Sequence, residues 1–356
     1  MTPPPRPALR DIDVIAPNFK RRLSGVTATI VRLVPVQSAQ IAIAATGPVL
    51  PDDVPQVALS ALPFMSRRGP SGWRVWHARR NVEMIGGLVL RYLLGKKLRL
   101  LFTSASQRQQ SGLTRWLIRR MDAVVATSDK TARYLQVPAQ VIMHGIDIHT
   151  FSPSLDRPAL RRKLGVADDG PVLGCYGRIR AQKGTDAYVD AMIALLYKHP
   201  TATALVMGRA TAEHRAFEDD LRARIDTAGL SDRLRFMPEV PPEAMADWYR
   251  ILDVYVAPQR WEGFGLTPIE AMACGCPVVA TRVGAFEALV RDGETGLLVD
   301  ADDAGALERA ADAILSDPQR LQDWSVAARQ HVEARFSIET EAATLVTLYR
   351  DLLSRP

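Results

Sequence analysis

Short apolar runs alternate with longer segments of helical spacing along the whole chain, and the alternation predicts two wound α/β halves. In the first half, Asp13 to Pro17, Gln40 to Ala45, Leu98 to Thr103 and Ala123 to Ser128 read as buried strands. Helical periodicity marks Gly25 to Val34, Asn81 to Leu94, Gly112 to Met121 and Asp129 to Leu135. The second half repeats the rhythm, with strands near Val172 to Gly177, Ala204 to Met207, Leu234 to Met237, Val254 to Ala257, Pro277 to Ala280 and Gly296 to Val299. Helices are expected between them, including Asp186 to Tyr197, Glu213 to Ala228 and Pro242 to Ile251. Strand and helix in strict alternation imply parallel sheets. The proline-rich stretch Phe151 to Pro158 reads as the boundary between the halves.

A chain of 356 residues is longer than one ordinary core and suits two domains. Apolar content of 47% and charged content of 24% belong to a globular protein and exclude a disordered chain or a membrane bundle. No apolar run reaches the roughly 18 residues that cross a bilayer, and Met1-Thr-Pro-Pro-Pro-Arg6 lacks the apolar core of a secretory signal, so a cytoplasmic location is expected. Cys175, Cys274 and Cys276 are too few and, for the last two, too close for a disulfide framework. Without a His or Cys partner at ligand spacing, Cys274-Gly-Cys276 reads as small buried thiols and not as a metal site. Asp11-Ile-Asp13 precedes the first strand and reads as surface.

Charge is divided unevenly. Residues 1–150 hold 21 Lys and Arg against 8 Asp and Glu, which leaves 24 against 31 for the remainder. In the first half, pairs such as Arg67-Arg68, Arg79-Arg80, Lys96-Lys97 and Arg119-Arg120 recur beside Trp73, Trp76, Leu88 to Leu94 and Trp116-Leu-Ile118. Cations interleaved with aromatic and apolar side chains suit an anionic membrane surface or a phosphorylated lipid. Nucleic acid would be attracted by the same charge, and a merely solvated basic face is the simplest alternative.

Two clusters carry candidate chemistry. Glu262-Gly-Phe-Gly-Leu-Thr-Pro-Ile-Glu270 sets two carboxylates around a glycine-rich turn, in which Gly263 and Gly265 let backbone amides approach a ligand. The following segment, Leu266 to Cys274, reads as a short helix with Pro268 in its first turn and an N-terminus that favours an anion. The apolar run Pro277 to Ala280 behind it suits a buried parallel strand. The second cluster is Gly174-Cys-Tyr-Gly-Arg178-Ile-Arg-Ala-Gln-Lys183-Gly184, a strand ending in a loop with two cations, at the strand end where open α/β sheets bind ligands.

The run Glu262 to Glu270, followed by Ala-Met-Ala-Cys-Gly-Cys-Pro-Val-Val-Ala-Thr281, resembles the signature of the family four retaining glycosyltransferases. The likeness covers most of residues 166–356; earlier it rests on Gly25, on Trp76 to Arg80 and on His144-Gly-Ile-Asp147, where the family usually has Asn in place of His144. Among members, the lipopolysaccharide-core mannosyltransferases look most similar. The resemblance implies the GT-B fold, with two Rossmann-like doubly wound domains facing a central cleft. Its divisions would be an acceptor-binding domain at 1–155, a nucleotide-sugar-binding domain at 156–335 and a C-terminal helix at 336–356 that crosses back to the first.

It also implies an activity: retaining, metal-independent transfer of a hexose, mannose from GDP-mannose by the nearest likeness, to a lipopolysaccharide-core or other lipid-linked acceptor. No cofactor is implied beyond that donor substrate, and a peripheral position at the inner face of the cytoplasmic membrane follows from the acceptor. Carried over residue by residue, Arg178 and Lys183 hold the donor diphosphate, Glu262 a sugar hydroxyl and Glu270 the ribose. Backbone amides of Phe264, Gly265, Leu266 and Thr267 meet sugar and phosphates, Gly25 offers an amide to phosphate, and His77 lies near the transferred sugar. Arg79 and Arg80 are candidates for acceptor phosphate, and His144 for ordering the turn into the linker. A sugar-nucleotide epimerase of the same architecture, and a basic binding module for membrane or nucleic acid, are the alternatives; the second leaves Arg178, Lys183 and both glutamates without a role.

Overall fold

The computed structural model describes residues 7–21 and 25–356, and its contacts divide the chain into two units. One runs to Gly145 and regains the chain at Ile338–Pro356; the other is Ile146–Ser337. The division falls ten residues before the expected 155/156 boundary, so the proline-rich stretch lies inside the second unit. Arg22, Leu23 and Ser24, which precede Gly25, lie outside the described residues.

The first unit holds six strands, β1 (Val14–Pro17), β2 (Ile43–Thr46), β3 (Arg74–Ala78), β4 (Leu98–Ser104), β5 (Ala123–Ala126) and β6 (Gln140–Val141). They pair in the order β2-β1-β3-β4-β5-β6, all parallel. Alternation along each strand splits the core in two. Ile15, Trp76, Leu100 and Phe102 face the helices Asn81–Leu88 and Gly112–Ile118, while Val14, Val75, Leu101 and Val125 face the helices Gly25–Ser38 and Ile338–Ser354. The C-terminal helix is thus part of this unit's core, through Ala342, Leu345 and Leu352.

The expected strands lack the two-residue edge strand β6 and central β3, which hydropathy hides because Arg74-Val-Trp-His-Ala78 carries two polar side chains. Both are fully buried and satisfied: the Arg74 guanidinium donates to the carbonyls of Ile12, Ser66 and Arg68 at 2.9–3.0 Å. The helix from Gly25 also outruns its expected end at Val34 and continues through Pro35 to Ser38. Packing of Ile30, Leu33, Val34 and Gln37 outweighs the local cost of the proline.

The second unit contributes β7 (Val172–Tyr176), β8 (Thr203–Met207), β9 (Leu234–Met237), β10 (Val254–Ala257), β11 (Val278–Thr281) and β12 (Gly296–Val299). Their order is β12-β11-β10-β7-β8-β9, again all parallel. Winding reverses between β7 and β10, and a crevice outside the carboxyl ends of those two strands is where such a sheet takes a ligand. The loops leaving β7 and β10 are the two chemical clusters of the sequence.

Candidate active site

In the second unit the structure brings Lys183 and Glu262 together. The Lys183 Nζ lies 2.5 Å from Glu262 Oε2, with both side chains about one-fifth exposed. Glu262 Oε1 accepts the Gly263 N–H at 2.9 Å. The pair sits at this point because the backbone locks the two loops together. Gly184 has φ +68°, and a Cβ there would stand 1.9 Å from the Pro258 carbonyl oxygen at the exit of β10. Gly265, at φ +90°, lies against the Phe286 ring and the Glu262 side chain, where a Cβ would clash.

A further stitch comes from Arg260, which sequence reading missed. Its guanidinium grips Asp186 in a two-bond fork at 2.6 and 3.0 Å, pairs with Asp302, and donates to the Ala181 carbonyl. Its own N–H bonds the Gln182 carbonyl at 3.1 Å. Burial alone would raise the Asp186 carboxyl, but the hydrogen bonds and charge of Arg260 prevail and hold it below its ordinary value. Nothing in the local sequence announces this contact, since the partners are 74 positions apart.

Arg178 and Glu270 line one cavity of about 310 Å³ with Gly208, Arg209, Glu239 and Tyr249. Arg178 is exposed and has no ion-pair partner among the described residues. Glu270 is anchored by the Tyr249 hydroxyl, which donates to its Oε2 at 3.0 Å. Burial, and next the Glu270 charge, push the Tyr249 phenol well above its ordinary value, so it remains a donor. Pro242 and Met245 give the cavity apolar wall, and Glu239 forms a largely exposed pair with Arg209 at 3.4 Å. Around the turn, Phe264 is buried, Leu266 is half-buried, and Thr267 opens the seven-residue helix Thr267–Ala273, shorter than the stretch to Cys274. All three cysteines are buried, and burial pushes the Cys175 and Cys274 thiols up to about 12, so neither offers a thiolate.

The first unit disposes of its candidates differently. His77, expected near a transferred sugar, is fully buried on β3, with Nδ1 2.7 Å from the Tyr349 hydroxyl and Nε2 2.6 Å from Thr103 Oγ1. Burial, then the Arg79 charge, hold its pKa well below the ordinary value. A neutral ring with both nitrogens engaged ties the C-terminal helix to the sheet, and the ring lines a small pocket with Arg79, Thr103 and His144. Arg80 is likewise occupied: it bonds buried Asn18 at 2.8 Å and buried Glu83 at 2.7 Å, while Glu83 also accepts the Arg79 N–H at 2.8 Å. The Arg80-x-x-Glu83 spacing at a helix start was the signal available for that pair. His144 meets Glu341 Oε1 at 2.8 Å, and Glu341 Oε2 accepts the Gly145 N–H at 2.7 Å, so the turn is fastened to the last helix. Gly25 is exposed, begins a 14-residue helix, and has open space where a Cβ would stand.

Comparison with known proteins gives the same class of molecule. Residues 156–331 match the family model of Glycosyl transferases group 1. The chain is 53% identical over 350 residues to the lipopolysaccharide core biosynthesis mannosyltransferase LpsB of Rhizobium meliloti, covering 97% of this chain and 99% of the relative. It is 49% identical over 358 residues to the corresponding LpcC of Rhizobium leguminosarum bv. viciae, covering 98% of each. Among solved structures, Anabaena HepE in complex with UDP superposes with TM-score 0.81 at 17% identity, over 96% of this chain and 100% of that one. The sucrose-phosphate synthase of Thermosynechococcus elongatus gives 0.77 at 23% identity, over 97% and 100%. At such identities the likeness is one of fold, and that fold is GT-B.

Proposed function

Because the chain belongs to the group 1 glycosyltransferases, we propose that it transfers mannose from GDP-mannose to a hydroxyl of a lipopolysaccharide-core or other lipid-linked acceptor, with retention at the anomeric carbon. The observation that carries the reading is the second unit's strand-end constellation: Lys183, paired with Glu262, lines a small pocket with Arg178, and Arg178 in turn lines the larger cavity with Glu270. Negative charge builds on the leaving diphosphate as the bond from sugar to phosphate breaks. Fixed cations at Arg178 and Lys183 stabilise that charge and take the role that a metal ion would otherwise fill.

Glu262 accepts hydrogen bonds from a sugar hydroxyl and holds the Lys183 ammonium in place; it is not a covalent nucleophile. Glu270 takes the ribose hydroxyls, and the amides from Phe264 to Thr267 take sugar and phosphate. Gly25 offers its amide to phosphate, and an anion suits the end of its 14-residue helix. His77 enters only as the group that positions Tyr349 and Thr103. Donor phosphate oxygen removes the acceptor proton on the face from which it departs. No cofactor takes part besides the donor.

Guanine as the base is supported by Glu239. A carboxylate offers two acceptors side by side, and the guanine edge offers two adjacent donors, N1–H and N2–H. The mannosyl group and the core acceptor are supported by the two long, close relatives. The acceptor anchors in the cytoplasmic membrane, and the basic first unit carries the enzyme to its inner face. A thermal-shift panel of GDP-, UDP- and ADP-sugars tests the donor, since a ligand bound only by the native state raises the melting midpoint. GDP-mannose should give the largest shift. Stabilisation by none of them would sink the reading, and conversion of GDP-mannose to an isomer without acceptor would replace transfer with epimerisation.

A further inference from the structure

Exposed apolar side chains gather on one part of the first unit. Val82, Ile85, Val89, Tyr92 and Leu93 are all exposed, the last two at 68% and 77%. Their spacing traces one stripe along a helix whose other side, Met84, Leu88 and Leu90, is buried in the core. The stripe ends in a widened turn, Val89–Leu93, where the Leu94 N–H reaches back five residues to the Val89 carbonyl at 3.1 Å. Leu113 and Trp116, also exposed, repeat the pattern on the adjoining helix, which Asn81 Nδ2 joins through Thr114 Oγ1 at 2.8 Å. None of these side chains enters the proposed chemistry.

The charge around the stripe is mainly positive, although Arg91 on the same helix pairs with Asp122 at 2.6 Å. Residues 81–121 hold eight Lys and Arg and a single carboxylate, Glu83, which is buried and paired. Arg115, Arg119 and Arg120 are exposed, and the Arg120 guanidinium lies 3.6 Å from the centroid of the Trp116 ring. A stripe of apolar and aromatic residues flanked by cations is the pattern of a helix lying in a membrane interface. Among the described residues no helix is long and apolar enough to cross a bilayer, so the contact available is lateral.

We propose that this face docks on an anionic lipid bilayer, with Tyr92, Leu93 and Trp116 entering the boundary between headgroups and acyl chains and Arg115, Arg119 and Arg120 meeting lipid phosphates. It deepens the membrane part of the reading above by naming the surface. A second copy of the chain is the poorer occupant, because a symmetric pair would set this cationic surface against itself.

Cosedimentation with vesicles of phosphatidylcholine alone, and with about one-third phosphatidylglycerol, tests the proposal. Wild-type protein should bind the anionic vesicles, release them at high salt, and ignore the neutral ones. The triple variant Tyr92→Ser, Leu93→Ser, Trp116→Ser should bind at least about tenfold more weakly, with an unchanged thermal melt because all three side chains are exposed. The triple variant Arg115→Ser, Arg119→Ser, Arg120→Ser should lose roughly fivefold per cation. Equal binding to neutral vesicles, or wild-type binding by the apolar variant, would overturn the proposal. So would sedimentation velocity showing a wild-type dimer that the apolar variant dissolves. Vesicle binding is read without donor or acceptor, so protein that binds vesicles but is stabilised by no nucleotide sugar would refute the proposed transfer and leave this surface standing.

Discussion

The two sheets are near copies in construction and opposites in how they use the charges at their strand ends. In the second unit the loop beyond β7 sets Arg178 and Lys183 on pocket walls, Arg178 with no ion-pair partner among the described residues and Lys183 held by Glu262. In the first unit the corresponding ends of β1 and β3 consume theirs internally. Arg80 is bound to Asn18 and Glu83, and His77 to Tyr349 and Thr103. How far a strand-end charge stays available to a ligand depends on the partners that the fold gives it. Burial and hydrogen-bond partners decide that, and residue type alone does not.

The sharpest way to break the contrast is Lys183→Ala. If the ammonium stabilises a leaving diphosphate, turnover should fall by about two decades or more, as loss of a preorganised donor does. Steady-state transfer assays on folded variant would check it, and unchanged turnover would remove Lys183 from the chemistry. The double variant Lys183→Ala, Glu262→Gln sharpens the result. It should restore any stability lost by leaving the Glu262 carboxylate unpaired, yet remain inactive; recovery of activity would make the pair merely structural.

His77→Ala is the mirror experiment in the other unit. Removing the ring opens a cavity and strands the Tyr349 hydroxyl and Thr103, for a loss of about 3 kcal/mol of stability. Denaturant unfolding should show a lower midpoint. A full-stability variant with turnover lost would return His77 to the active site.

How much of this could be read from sequence follows the same division. The second unit was legible almost strand by strand, with β9, β10 and β12 at their expected bounds, because its strands are largely apolar runs, Arg235 in β9 apart, and its chemistry lies in two contiguous motifs. In the first unit β3 was missed, since Arg74 and His77 interrupt its hydropathy and only tertiary partners reveal that both belong in the core. Arg260 was missed for a related reason: Asp186 and Asp302 come near it only in the folded chain. His77 and Arg80 were visible as residues, but whether their polar atoms were free was not.

A smaller effect is expected where Glu270 is proposed to hold the ribose. Tyr249→Phe removes one hydrogen bond to the Glu270 carboxylate and leaves the packing intact. Hydrogen bonds to charged groups contribute about 1.5–3 kcal/mol, so donor affinity should weaken roughly tenfold while turnover at saturation changes little. Calorimetric titration with GDP-mannose measures it. Unaltered affinity would show that Glu270 needs no anchor, or that ribose lies elsewhere.

The gentlest probe is pH, and its sign is fixed by burial. A histidine held neutral in the fold has a folded pKa below the unfolded 6.5, so between those values the unfolded chain binds the extra proton. The stability this contributes is present above about pH 6.5 and is lost as pH falls toward the folded pKa. His331, a buried side chain lowered chiefly by that burial, adds a contribution of the same sign from the second unit. Wild-type unfolding free energy should therefore rise with pH from about 5 to 7, and the rise should be shallower in His77→Gln. An equal slope in both proteins would mean that His77 titrates normally, and a normal titration requires a ring that water can reach. That result would undo the contrast between the two strand ends, because a hydrated His77 would be as available to a ligand as Arg178.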